Sequence, residues 1–167
     1  MRHAVITIVA AVAVVISVVV IGYALPVRHR GVGEVTLKAT PEAIFGLITN
    51  VDAFPSWRSG LTSVEMIASS DGKRRFREVS GRSAIAFVIE SVEPNQRLVT
   101  RIDDKSLPFG GTWTYDLSRA GEGTTTLRIT EDGEIYNPIF RFVSRFFMGY
   151  DGTIKTYLAD VGRKLGG

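Results

Sequence analysis

The side chains able to move a proton or hold a metal are few in kind. Cysteine is absent, and the two histidines, His3 and His29, flank an apolar leader. From Gly31 onward the chain has neither residue type. Within that body the composition excludes a Ser-His-Asp or Cys-His nucleophilic site, thiol redox chemistry and a zinc centre of Cys and His ligands, leaving carboxylates as the ordinary metal ligands. No metal or cofactor is expected, and no catalytic residue is assigned. If the body is catalytic, its acid or base must come from Glu131, Tyr115, Asp116, Arg101 or Tyr150. Glu131 continues the odd-numbered series of Leu127 and Ile129, so strand alternation turns it toward the same face as those apolar residues. Burial there would raise its pKa and suit it to acid/base work or to hydrogen bonding a ligand. Arg101 beside it would instead hold it ionised as a structural pair, and a bulge near Asp132-Gly133 would turn it outward.

The elements that must position these residues read as follows. Glu34-Val35-Thr36-Leu37-Lys38 alternates like a strand, and Thr40-Pro41-Glu42 supplies an N-cap, an N1 proline and a first-turn acid for a helix to about Thr49. A helical turn near Asp52 to Trp57 follows. Strands are expected near 61–69, 73–80, 83–93, 96–103, 111–119 and 124–135, separated by turn residues such as Asp71-Gly72, Pro94-Asn95 and Gly121-Glu122-Gly123. The pattern is an antiparallel meander. Asn137-Pro138 then opens a long helix to about Leu165, with Ile139, Phe142, Val143, Phe146, Phe147, Tyr150, Ile154, Tyr157, Leu158 and Val161 on one broad stripe. Arg141, Arg145, Lys155 and Arg163 fall opposite that stripe. The stripe is expected to cover the concave face of the sheet, with Phe146 and Tyr150 near a cavity. Gly149 and Gly152 lie mid-helix, where a kink or a close approach would explain them.

Ala4 to Leu25 carries no charged side chain. As a helix, these 22 residues would span roughly 33 Å, against a hydrocarbon core of about 30 Å. An uncleaved membrane anchor is the first reading. A signal peptide cleaved after Gly22-Tyr23-Ala24 competes with it, although signal cores are usually about 7–15 residues. Pro26 to Gly33 reads as a short basic linker, which divides the chain into an anchor and linker over residues 1–30 and one domain over 31–167. Arg2, Arg28 and Arg30 flank the leader, and removing them from the 20 Lys and Arg leaves 17 basic against 17 acidic residues in the domain. The formal +3 charge belongs to the leader and points to no nucleic-acid partner. The flanking charges leave the side of the membrane open, and the oligomeric state is not indicated. Lys73-Arg74-Arg75, with Arg77 and Arg82, is either a headgroup contact or a solvated hairpin.

The order of strand, two short helices, six strands and a long C-terminal helix resembles the START-like (SRPBCC) superfamily, in its polyketide cyclase/dehydrase and lipid-transport branch. The residues that carry the resemblance are Ala39-Thr40-Pro41-Glu42-Ala43-Ile44-Phe45, Asp52-Ala53-Phe54-Pro55-Ser56-Trp57, Glu93-Pro94-Asn95-Gln96-Arg97-Leu98 and Gly111-Thr112-Trp113-Thr114-Tyr115. The resemblance implies an α+β helix-grip fold, with a curved seven-stranded antiparallel sheet around the C-terminal helix. It also implies a cavity between them for an apolar or amphipathic small molecule. Trp57, Trp113, Tyr115, Glu131, Phe142, Phe146, Tyr150 and Tyr157 are the residues expected to line it. Three functions are compatible with that scaffold. The first is a membrane-anchored carrier or sensor of a lipid or other apolar molecule. The second is a cyclase- or dehydratase-type enzyme acting in the same cavity, and the third is an anchored interaction domain with a filled core.

Overall fold

A computed structural model describes residues 2–166. The first helix, α1 (Arg2–Ala24), is long and apolar enough to cross a bilayer and is exposed along nearly its whole length. Strand β1 (Arg28–Leu37) follows almost directly, then α2 (Pro41–Thr49) and a 3-10 turn at Val51–Ser56. Six further strands complete one sheet: β2 (Ser63–Ile67), β3 (Arg75–Ser80), β4 (Ser83–Glu93), β5 (Arg97–Ile102), β6 (Phe109–Gly121) and β7 (Thr124–Ile135). All neighbours are antiparallel, in the order β1-β7-β6-β5-β4-β3-β2. The chain closes with α3 (Pro138–Val143), a π-helical turn at Ser144–Met148, and α4 (Gly152–Leu165). This is the α+β helix-grip architecture.

Both expected caps are present. The Thr40 side chain accepts from the Ala43 N–H and the Asn137 side chain from the Phe140 N–H, each with proline at the next position. The core fills the concave side of the sheet under α4, where Ile154, Tyr157, Leu158 and Val161 are buried against Leu37, Leu98, Tyr115, Leu127 and Ile129. Asp160, also buried, accepts from the Ser59 N–H and hydroxyl at 2.6 Å, so α4 is tied to the loop after the 3-10 turn.

Four expectations are corrected. Pro26 to Gly33 is not a linker, because β1 begins at Arg28 and pairs with β7 in unbroken register from Arg28↔Glu134 to Leu37↔Thr125. Its glycines serve close approach rather than flexibility: a Cβ on Gly31 would sit 2.7 Å from the Tyr150 carbonyl oxygen, and one on Gly33 2.7 Å from Ile154 Cγ2. The C-terminal helix is not continuous, since Gly149 adopts φ 73° and the chain re-enters helix only at Gly152. Only the second half of the apolar stripe grips the sheet, while Ile139, Phe146 and Phe147 face outward. Arg141, expected on the solvent side, is buried and donates to the Leu25 carbonyl oxygen at 2.8 Å, where α1 ends against α3.

Four of the five residues of the basic cluster are paired with acids within the domain. Arg74 pairs with Asp52, Arg75 with Asp71 and Asp103, Arg77 with Glu65, and Lys73 with Glu90.

Candidate functional site

Strand alternation sets which side chains meet on the concave face. Register places Gly31, Glu131 and Trp113 side by side across β1, β7 and β6, with Tyr115 and Ile129 one step further along. Glu131 therefore points inward, without a bulge. Arg101 is not its partner; it pairs with Glu90 on the other face, as Asp116 pairs with Arg97.

Aromatic rings occupy the space beneath α4. Tyr157 lies 5.5 Å from Trp57, 5.8 Å from Trp113 and 5.6 Å from Tyr115, centroid to centroid, and Phe54 makes an edge contact with Trp57 at 5.4 Å. Four of the expected cavity residues thus come together as interlocked rings rather than as walls around an open space. Phe142 and Phe146 do not join them. They pack on each other, tilted by 49° at 4.9 Å, in the α3 and π-turn segment outside the core cluster, and Phe146 is exposed.

Two polar groups interrupt this aromatic interior. In the inner one, the Arg58 guanidinium pairs with Glu78 and lies over the Phe54 and Tyr157 rings at 5.2 and 4.9 Å. Burial opposes the Arg58 charge, and Glu78 together with the neighbouring Tyr157 and Tyr115 more than restores it; burial pushes Glu78 up against the pull of Arg58. The Tyr115 and Tyr157 hydroxyls are adjacent and both are pushed upward by burial. The buried Trp57 indole N–H has no hydrogen-bond partner among the described residues, and the buried Tyr157 hydroxyl has the Tyr115 hydroxyl as its neighbour.

The outer group sits where the helix is broken. His29, the second residue of β1, stacks on Tyr150 at 4.1 Å with the rings 20° apart. Its ring covers Gly133 directly opposite, where any Cβ would collide with the imidazole. The His29 Nε2 is 3.8 Å from Glu131 Oε1. Burial lowers the His29 pKa and keeps the ring neutral, while burial raises Glu131, opposed only by the Trp113 indole N–H. Two groups 3.8 Å apart are too far to bond each other, yet each can approach one shared oxygen at about 2.8 Å. A carboxyl and an imidazole whose charged forms are both disfavoured by burial suit an uncharged hydroxyl or carbonyl oxygen. A cavity of about 650 Å³ at this end of the sheet reaches His29 but not Glu131, and its lining is largely charged, with Arg28, Arg30, Arg101, Asp132 and Glu134 beside Phe109 and Tyr136.

His29 overturns the exclusion of histidine from the domain, which followed from treating its segment as linker. Arg58 and Glu78 were not foreseen either, although Glu78 keeps phase with the inward Phe76 along β3.

Glu131 gives a pH signature. Because its folded pKa is raised above the ordinary 4.5, the folded state retains a proton that the unfolded chain has lost, so stability falls as pH rises from 4.5 through the raised value. Thermal unfolding of Glu131→Gln should lack that fall. Parallel pH profiles for the two proteins would place Glu131 in solvent.

The fold is shared with solved structures of low sequence identity. A START superfamily protein from Mycobacterium smegmatis aligns with TM-score 0.65 at 16% identity, covering 83% of this chain and 97% of that one. The Zhui aromatase/cyclase from Streptomyces sp. R1128 aligns with TM-score 0.65 at 11% identity, over 83% and 94% of the two chains. Norcoclaurine synthase from Thalictrum flavum gives 0.65 at 9% identity, over 83% and 86%. No curated protein sequence matches the chain. The family model described as polyketide cyclase / dehydrase and lipid transport matches residues 28–156, beginning at the first residue of β1, and the chain belongs to that family.

Proposed function

We propose that this chain is a bilayer-tethered binding protein, a carrier or sensor, for an apolar or amphipathic small molecule that carries an uncharged oxygen. The observation that carries this reading is the His29 and Glu131 pair, set 3.8 Å apart and partly exposed at the end of an aromatic face. The pair would hold the oxygen, and Trp113 and Tyr150 would flank the apolar body. Tyr157 and Trp57 lie deeper along the aromatic interior, and the buried Trp57 indole N–H, which has no partner among the described residues, offers a second hydrogen-bonding point. Tethering rests on α1 as an uncleaved span. Gly22 packs against the Pro138 backbone and Leu25 accepts from buried Arg141, contacts that cleavage after Ala24 would remove or disturb.

A second reading, an enzyme of the cyclase or dehydratase kind, is favoured by the same two groups. A neutral imidazole beside a carboxyl of raised pKa is an acid and a base within reach of one substrate oxygen.

The test is retention. The full chain, assembled in nanodiscs, washed and solvent-extracted, should release a species enriched over the bulk nanodisc lipid in mass spectra. His29→Phe keeps the stack on Tyr150 but removes the nitrogens, and should lower retention about tenfold, the worth of one hydrogen bond. Extracts indistinguishable from empty nanodiscs would defeat the binding reading.

A further inference from the structure

The segment from Tyr136 to Tyr150 differs from the rest of the domain. It holds six of the chain's sixteen aromatic residues and two arginines, and it has no acidic residue. Much of it is turned outward: Phe146 is 57% exposed, Phe147 77% and Met148 62%, with Tyr136 and Ile139 also exposed. Contiguous apolar side chains of this size seldom stay in water unless something covers them.

The position of α1 identifies the cover. The C-terminal end of α1 lies on α3, where Gly22 is buried against the Pro138 backbone and the Leu25 carbonyl accepts from Arg141 at 2.8 Å. A bilayer that contains α1 must therefore end within a turn or two of α3 and the π-turn. Aromatic and Met side chains with an arginine at their edge suit the headgroup boundary, where rings bury their faces and guanidinium meets phosphate.

We infer that the α3 and π-turn segment is an interfacial foot, with Phe146, Phe147 and Met148 seated at the headgroup–acyl boundary of the membrane that holds α1, and Arg145 at the phosphates. This inference rests on the reading of α1 as an uncleaved span and deepens it. Gly149 and Tyr150 follow the foot directly, and Tyr150 stacks on His29, so the foot sets the His29 and Glu131 pair at the membrane surface. A ligand would pass between bilayer and site without crossing bulk water.

The chain has no cysteine, so single-cysteine labelling needs no background substitutions. Phe147→Cys, Val12→Cys and Glu122→Cys, each carrying an environment-sensitive NBD label, are compared in full-length protein in phosphatidylcholine/phosphatidylglycerol vesicles. Glu122 serves as the aqueous control because it lies in the turn between β6 and β7, at the opposite end of β7 from α3. The label at 147 should be blue-shifted and quenched several-fold more by shallow than by deep doxyl-phospholipids. The label at 12 should show the reverse depth preference, and the label at 122 no quenching. Met148→Cys repeats the measurement should Phe147→Cys misfold. Quenching at 12 without quenching at 147 or 148 overturns the foot while leaving the anchor standing. Loss of quenching at 12 as well overturns both. A blue-shifted label at 147 that lipid quenchers do not reach, together with cross-linked dimers, assigns the patch to a second copy of the chain and also overturns the inference.

Discussion

Arg58→Met should destabilise the protein by about 3–5 kcal/mol, because it leaves Glu78 as an uncompensated charge in a largely buried site. The methionine fills much of the volume between the Phe54 and Tyr157 rings, so lost packing is a minor part of the effect. Adding Glu78→Leu removes the stranded carboxylate and should recover most of the loss, since a buried ion pair and an apolar replacement of similar volume are often close in stability. Thermal unfolding of the full chain, followed by tryptophan fluorescence, would register the single variant as a fall of roughly 10–20 °C, with the double variant much closer to the parent. Equal and small effects in both variants would show that water screens the pair. A stable double variant that no longer retains the ligand would assign Arg58 and Glu78 to binding rather than to folding.

Much of the scaffold was legible because its signals are local. The N-caps at Thr40 and Asn137, the glycine turn at 121–123 and the alternation of β7 each depend on neighbours within a few residues. The orientation of Glu131 followed from the same alternation. What escaped depends on contacts distant in sequence. Gly31 and Gly33 look like linker glycines until α4, some 120 residues later, is laid against them. A charge complement did mark the true start of β1: Arg28, Arg30 and Glu34 stand opposite Glu134, Asp132 and Arg128, and all three pairs close. With that strand went His29, and with His29 the polar end of the site.

The broken C-terminal helix has a related cause. A hydrophobic stripe at 100° per residue runs through both halves, and nothing in its period distinguishes a side chain aimed at the sheet from one aimed at another apolar surface. Phe146 and Ile154 occupy the same stripe, yet the first is exposed and the second completely buried. The glycine at 149, with its positive φ, is where the two halves part. Arg58 and Glu78 were obscured differently, since charged residues near a hairpin usually face water and here two of them face each other over aromatic rings.

The close approach of β1 and α4 yields the other large effect. Gly31→Val places a Cβ 2.7 Å from a backbone carbonyl oxygen, that of Tyr150, and 3.2 Å from Ile154 Cδ1. No rotamer change relieves a clash with backbone, so the start of α4 must lift from the sheet, at a cost of at least about 3 kcal/mol. At Gly33 the obstruction is side chains, chiefly Ile154 Cγ2 at 2.7 Å with the flexible Leu158 Cδ1 at 3.0 Å, and side chains can be changed or can shift. Gly33→Ala should therefore be destabilising alone and substantially rescued by Ile154→Leu, which removes the β-branch methyl at nearly constant volume. The same Ile154→Leu change should do little for Gly31→Val. Because Tyr150 stacks on His29, lifting the start of α4 should also expose the imidazole and bring the His29 pKa back toward 6.5, readable as a shift in the imidazole NMR titration. A Gly31→Val protein with parental stability and an unchanged His29 titration would mean that α4 does not rest on β1, and that the polar pair is positioned by something other than this contact.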